Sequence, residues 1–458
     1  MSNHIRLRKG LNIPIKGAAS ARITKTVEPD ILAVQPTDYR LLTPKLLVQE
    51  GDTVKAGSPL FADKKNPSVL FVSPVSGTVS NIVRGEKRKI LAVLIKADNQ
   101  NEYLHFDVPN PKSAEKEEII KALLESGLWC SLKQRPYGII PDPEKEPKSI
   151  FISSFDSAPL APDPDFALKG EIDFIQTGID MLKKLTKGAV HLSMHIDNYA
   201  GTPFHRLERV IHHTFEGKHP AGNPGVQIHH IDPVNKGDIV WTIDPYSLAA
   251  IGKLFTKGIY DVKRVISVTG PMAVNPSYIE TLPGISMQQI KEYIAQPVKR
   301  YSEMLSPRII SGNVLTGTDV GENGYLGFFS HQITILPEGN YREMFGWAKP
   351  LRYKKFSISR SYFSWLTPKK EYSLDTNLNG GERAFVITGL YEKVLPMDIY
   401  PMYLLKAILA KDIDRMEALG IYEVIEEDFA LCEFVCPSKV QIQEIIREGI
   451  ELMIKEMS

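Results

Sequence analysis

Residues 43–95 read as short apolar runs cut by turn residues at close intervals, and this pattern constrains the fold more than any other in the chain. Gly51-Asp52 and Gly57-Ser58 punctuate the first half, Asn66-Pro67 the middle and Ser76-Gly77 the second half. Glycine at such points takes positive φ without a Cβ clash, and Val, Ile and Phe between the turns favour a pleated, half-buried surface. The stretch predicts a small barrel of short strands, with Asp63-Lys64-Lys65 on a solvated turn.

The chain has 458 residues, room for about two to four domains. Its net charge of +1 argues against a global field aimed at nucleic acid or an acidic partner. Three cysteines, Cys130, Cys432 and Cys436, make no disulfide framework and suit a reducing compartment. Residues 1–17 lack the apolar core of a signal peptide, and no run of about eighteen apolar residues is present to span a membrane. These features point to a cytoplasmic chain, free or attached to something larger.

A leading strand is expected over 4–15, before the barrel. Ser113 is placed as the N-cap of a helix with Glu115, Glu117 and Glu118 in its first turn and Gly127 as its stop. Strands are expected at 149–154, 189–196, 226–231 and 238–243, and helices at 166–187, 204–214 and 246–256. That alternation implies an α/β layer structure with parallel pairing. Strands at 262–269, 277–282 and 308–311, around a helix at 286–295, suit a β-grasp unit. Further strands are expected at 330–337 and 382–387. The tail is helical, with one helix ending at Gly420 and an amphipathic one over 439–456.

The pieces Glu50-Gly51-Asp52-x-Val54-x-x-Gly57-x-x-Leu60 and Ser73-Pro74-x-x-Gly77-x-Val79 resemble the biotinyl/lipoyl barrel sandwich. In carriers of that fold a hairpin lysine bears the cofactor, and Lys64 or Lys65 is near that place; a structural barrel is the preferred reading. The order of barrel, α/β domain, β-grasp and helical tail resembles RnfC and the NADH-binding flavoprotein subunit of respiratory complex I. The wording in detail resembles the NqrA family, which supplies one subunit of the sodium-pumping NADH:quinone reductases. It rests on Ile5-Arg6-Leu7-x-Lys9-Gly10-Leu11-x-Ile13-Pro14-Ile15-x-Gly17, Leu60-Phe61-x-Asp63-Lys64-Lys65-Asn66-Pro67, His219-Pro220-Ala221-Gly222-x-Pro224-Gly225, Val268-Thr269-Gly270-Pro271 and Asp428-x-Ala430-Leu431-Cys432-x-Phe434-Val435-Cys436-Pro437.

The resemblance implies an α+β multidomain fold. Its parts are a biotinyl/lipoyl-like barrel sandwich (1–100), a Rossmann-like α/β domain (101–257), an SLBB-type β-grasp domain (258–330), a mixed β connector (331–395) and a C-terminal helical domain (396–458). It implies a peripheral subunit, on the cytoplasmic side of the bacterial inner membrane, of a six-subunit enzyme. That enzyme couples NADH oxidation and quinone reduction to sodium export. Flavins, iron centres and NADH belong to other subunits, so the expected partners are those subunits and quinone, with no nucleic acid.

The resemblance also says which cofactor motifs to look for. RnfC-like proteins carry a glycine-rich flavin-phosphate loop where this chain has Gly127-Leu128-Trp129-Cys130-Ser131-Leu132-Lys133-Gln134-Arg135-Pro136. Bulky side chains replace the glycines, and Lys133 and Arg135 read as solvated surface. In the acidic loop, Ser153-Ser154-Phe155-Asp156-Ser157-Ala158-Pro159, one of two expected acids is Ala158. No G-x-G-x-x-G follows a strand, so neither flavin nor NADH is expected here. Cys432 and Cys436 resemble the end of a lost cluster motif, since a four-iron cluster needs four thiolates. The histidines of the α/β region, His191 and His195 among them, show no zinc spacing. Ile31, Tyr39 and Arg40 are the residue types a quinone site would use. The aromatic and basic segment 341–366 suits docking beside membrane subunits better than RNA stacking. Alternatives are an RnfC-like electron-transfer module with its own flavin or cluster, a lipoyl/biotinyl carrier, and a scaffold that never touches quinone.

Overall fold

A computed structural model describes residues 3–300, 303–339, 341, 345, 346, 352, 355–358, 364–386 and 388–457. The barrel forms from two sheets facing each other. Ile31–Val34, Ile90–Ala97, Gly77–Arg84 and Thr53–Val54 make one; Pro44–Leu46, Pro59–Asp63 and Leu70–Val72 make the other. Leu60, Phe61, Phe71, Val79 and Ile95 fill the space between them, with the Phe61 and Phe71 rings stacked 4.8 Å apart. Lys64 and Lys65 are exposed between two paired strands.

The next body is a six-stranded sheet in the order Asn3–Arg6, Ile211–Glu216, Ala189–His195, Ser149–Ser153, Val240–Ile243, Lys133–Arg135. All neighbours are parallel except the last pair, as the alternation of elements implied. Its helices are α1 (Lys116–Glu125), α2 (Pro164–Ala167), α3 (Ile172–Lys183), α4 (Pro224–Ile231) and α5 (Pro245–Lys257). A second six-stranded sheet runs Ile23–Thr26, Ser277–Thr281, Arg264–Thr269, Gln332–Pro337, Pro307–Ser311, Thr318–Asp319. The C-terminal helices are α6 (Tyr391–Val394), α7 (Pro401–Leu409), α8 (Ile413–Ala418), α9 (Glu426–Val435) and α10 (Ile442–Met457). No helix among the described residues is long and apolar enough to cross a membrane.

Several elements differ from the sequence reading, each for a local reason. The leading strand is only Asn3–Arg6, and it joins the parallel sheet beside Ile211–Glu216 rather than the barrel. The first helix is capped by Glu115, not Ser113, in a reciprocal box with Glu118. Gly170, at φ 89°, separates α2 from α3 where one helix was expected. Residues 226–231, expected as a strand, lie in α4, started by Pro224 in its first turn. Residues 204–214, expected as a helix, are a 3₁₀ turn capped by Thr202 followed by strand Ile211–Glu216, which wins by pairing on both sides.

The expected helix at 286–295 is a 3₁₀ segment, Met287–Tyr293, whose buried Met287, Ile290 and Tyr293 recur every third residue. The helix ending at Gly420 is split where Lys411 takes φ 55° and Asp412 caps α8. No strand forms at 382–386, where Arg383 bonds through its backbone to Ser438; Ile387 lies outside the described residues.

Helices α3 and α5 cross tightly on the parallel sheet. A Cβ on Gly252 would run into the backbone carbonyl of Phe174, and one on Gly178 into that of Leu248. Gly252→Ala is expected to lower stability by about 2–3 kcal/mol through overpacking, read as a reduced urea midpoint. A wild-type midpoint would show that the crossing relaxes freely.

Candidate functional site

Strand order places the site. From Ser149–Ser153 the chain moves outward to Ala189–His195 and Ile211–Glu216, then returns to the other side with Val240–Ile243. The order reverses between Ser149–Ser153 and Val240–Ile243, and the crevice beyond the carboxyl ends of such strands is where open α/β sheets take ligands. A cavity of about 620 Å³ opens there, lined by Ser153, Thr242 and Asp244. The other bodies close it: Asp38 comes from the barrel, Ser311–Gln332 residues from the second sheet, and Glu427 from α9.

Three polar groupings, buried or half-buried, shape this cavity. Arg135, 2% exposed, donates Nη1 to Asp428 Oδ2 and Nη2 to Glu427 Oε1, both at 2.6 Å. Burial opposes the guanidinium's charge, but the two carboxylates outweigh it and raise its pKa. Asp244 caps α5, accepting from the backbone N–H groups of Tyr246 and Ser247, and lies 3.2 Å from His331 Nε2. Burial pushes the Asp244 carboxyl up, yet His331 and Arg264 hold it well below the usual range. The Tyr246 ring stacks on His331 at 3.9 Å, and its buried hydroxyl has no partner among the described residues. Asp38, whose Oδ2 accepts from the Phe328 N–H at 2.8 Å, is pushed up to about 6 by burial. Lys133 Nζ sits 3.8 Å from the Phe329 ring centroid.

The flavin-phosphate region does not fit a phosphate. Trp129 is fully buried against Trp241, and Cys130 and Leu132 are buried beside it. At the start of α4, a Cβ on Gly225 would meet Asp428 and Arg135, so the chain's own side chains hold that space. Arg135 is therefore a buried clamp rather than the solvated surface the sequence suggested.

Ile31, Tyr39 and Arg40 are not brought together. Ile31 is 40% exposed at the start of its strand. Tyr39 is buried among Phe71, Phe328 and Phe329, beside a void of about 20 Å³ that suits no more than a water. Arg40 reaches away to Glu426 at 2.7 Å. Cys432 and Cys436 are fully buried; the Tyr391 hydroxyl donates to Cys436 Sγ at 2.9 Å, and burial pushes the Cys432 thiol up. No group of three or more His, Cys, Asp or Glu among the described residues is arranged to hold a metal. In the aromatic segment, Phe345 and Trp365 are exposed. Trp347, Tyr353, Tyr362, Phe363, Arg342, Lys349, Lys354 and Arg360 lie outside the described residues.

Sequence reasoning missed Asp38, Asp244, Tyr246 and His331 as site residues. Only Asp244-Pro245, a capping signature at the end of an apolar strand, carried a usable signal.

Family models match three stretches: the NqrA N-terminal barrel-sandwich hybrid domain (5–98), the NqrA second alpha/beta domain (114–260) and the NQRA C-terminal domain (265–322). The NqrA subunit of the Na(+)-translocating NADH-quinone reductase of Rhodopirellula baltica is 38% identical over 98% of this chain and 98% of that protein. The chain belongs to the NqrA family. Family members of the same name from Yersinia pestis (39% identical; 97% of this chain, 98% of that one) and Serratia proteamaculans (39%; 99% and 100%) extend the match along the whole length. A solved NAD+-reducing [NiFe]-hydrogenase superposes loosely, with a TM-score of 0.39 at 12% identity over 76% of this chain and 62% of that one.

In this NqrA chain, His219 and the paired His191 and His213 give the site's flank a pH response. His191 Nδ1 and His213 Nε2 are 2.9 Å apart and buried, and His219 lies 3.0 Å from Ser157 Oγ. Burial lowers both His213 and His219 to about 4. Their neutral forms are favoured in the fold, so this contribution is complete above about pH 6.5 and is lost as pH falls toward 4. Stability is expected to drop by about 2 kcal/mol per ring between pH 7.5 and pH 5, read from urea unfolding at pH 7.5, 6 and 5. A pH-independent midpoint would contradict these assignments.

Proposed function

We propose that this chain is the peripheral NqrA component of a six-subunit Na(+)-translocating NADH-quinone reductase, held on the cytoplasmic side of a bacterial inner membrane. The observation that carries the proposal is identity of 38–39% to proteins named as that component, running through almost the whole chain. The filled phosphate region supports a component without its own flavin or NADH, so that redox chemistry is done by its partners. Catalytic residues are assigned to none of its side chains.

Under this reading the domains run 1–100, 101–257, 258–330, 331–395 and 396–458. They are a biotinyl/lipoyl-like barrel whose leading strands Asn3–Arg6 and Ile23–Thr26 are lent to the next two domains, a Rossmann-like domain, an SLBB-type β-grasp domain, a mixed connector whose first strand Gln332–Pro337 joins the β-grasp sheet, and a helical domain. Quinone contact is assigned to the neighbourhood of Ile31, Tyr39 and Arg40.

An affinity-tagged chain, recovered from detergent-solubilised membranes, is expected to bring the other subunits with it, colourless in itself once separated from them. Deletion is expected to abolish sodium-dependent NADH oxidation by the membranes. Recovery of the chain alone, with oxidation undiminished on deletion, would refute the proposal.

A further inference from the structure

Among the described residues, two donors in the wall of the switch-point cavity are left without partners. The Tyr246 hydroxyl is one: the residue is 7% exposed, its ring is fixed by stacking on His331, and nothing accepts its proton. Lys133 is the other. Among the described residues no carboxylate comes within ion-pair distance of its ammonium, which rests over Phe329. Two more deeply buried cations are ion-paired, Arg135 with Asp428 and Glu427, and Lys253 with Glu171 and Asp261, while buried Arg264 donates to the backbone carbonyls of Val262 and Phe328. Asp38 accepts from the Phe328 N–H and feels the Lys133 charge, but the two groups make no ion pair.

A half-buried cation with no carboxylate in direct contact, attracted by Asp38 only at a distance, and a buried hydroxyl without an acceptor ask for the same complement: oxygen atoms, one of them bearing charge. Phe329 and the stacked Tyr246–His331 pair add aromatic surface to the lining. The volume of about 620 Å³ lies in the range of small-molecule sites.

We propose that this cavity binds a ring-bearing organic monoanion, its charged group on the Lys133 ammonium and a second oxygen accepting from the Tyr246 hydroxyl. The site borders the quinone neighbourhood assigned near Tyr39, which packs on Phe329, but the proposal does not depend on the chain's place in the complex.

Two fluorescent probes with the same rings separate charge from shape: 8-anilinonaphthalene-1-sulfonate, an anion, and N-phenyl-1-naphthylamine, its uncharged counterpart. Each is titrated into the full chain. Lys133→Met is expected to weaken the tight sulfonate site about tenfold while changing the uncharged probe less than about twofold. Lys133→Arg is expected to retain sulfonate binding, and Tyr246→Phe to weaken it about fivefold. The uncharged probe and the Arg variant guard against loss of fold. Absence of a tight sulfonate site, equal weakening of both probes in Lys133→Met, or unchanged sulfonate affinity in that variant would each overturn the proposal.

Discussion

The ion triad of Arg135 with Asp428 and Glu427 is the interaction on which the arrangement of this chain rests. Arg135 belongs to the edge strand of the parallel sheet, and its partners open α9 in the C-terminal helices. A guanidinium 2% exposed is costly to desolvate, and only full pairing makes it tolerable. The triad consequently specifies one docking of the helices on the sheet. It also occupies the mouth of α4, where Gly225 leaves room for Asp428. The Asp428 Oδ1 that fills this space is buried and has no hydrogen-bond partner among the described residues.

The N-terminal segment supplies the second constraint. Before the barrel begins, the chain contributes Asn3–Arg6 to the parallel sheet and Ile23–Thr26 to the second sheet. Each is an edge strand, so the first residues stitch the barrel to two bodies made from sequence about 200 residues or more away. The cavity at the strand reversal is walled by all of them, and Asp38, Lys133, Tyr246 and His331 meet only because these bodies are tied.

Much of this was legible in the residues. Gly51, Gly57 and Gly77, all at positive φ, mark the barrel's turns as the sequence suggested. Alternation of apolar runs with amphipathic stretches gave the parallel sheet. What was illegible was decided by pairing at a distance. Residues 211–216 carry no stronger strand pattern than 226–231, yet the first pair on both sides and the second form a helix behind Pro224. Local propensity is overruled where a sheet position is open. The candidate site was hidden for the same reason: Lys133 and Arg135 look like two cations on a surface, and nothing near them in sequence announces Asp428 or Phe329. Ile31, Tyr39 and Arg40 are adjacent enough to suggest a common slot, but exposure, burial and an ion pair with α9 send them three ways.

Hydrogen exchange on an Arg135→Met variant tests the central claim most directly. If the triad docks the helices on the sheet, amides of α9 and of the first turns of α4 will exchange about 100-fold faster than in the parent, while strand Ser149–Ser153 keeps its protection. Unchanged protection in α9 and α4 would show that apolar packing alone sets the docking and that the buried triad is incidental to it.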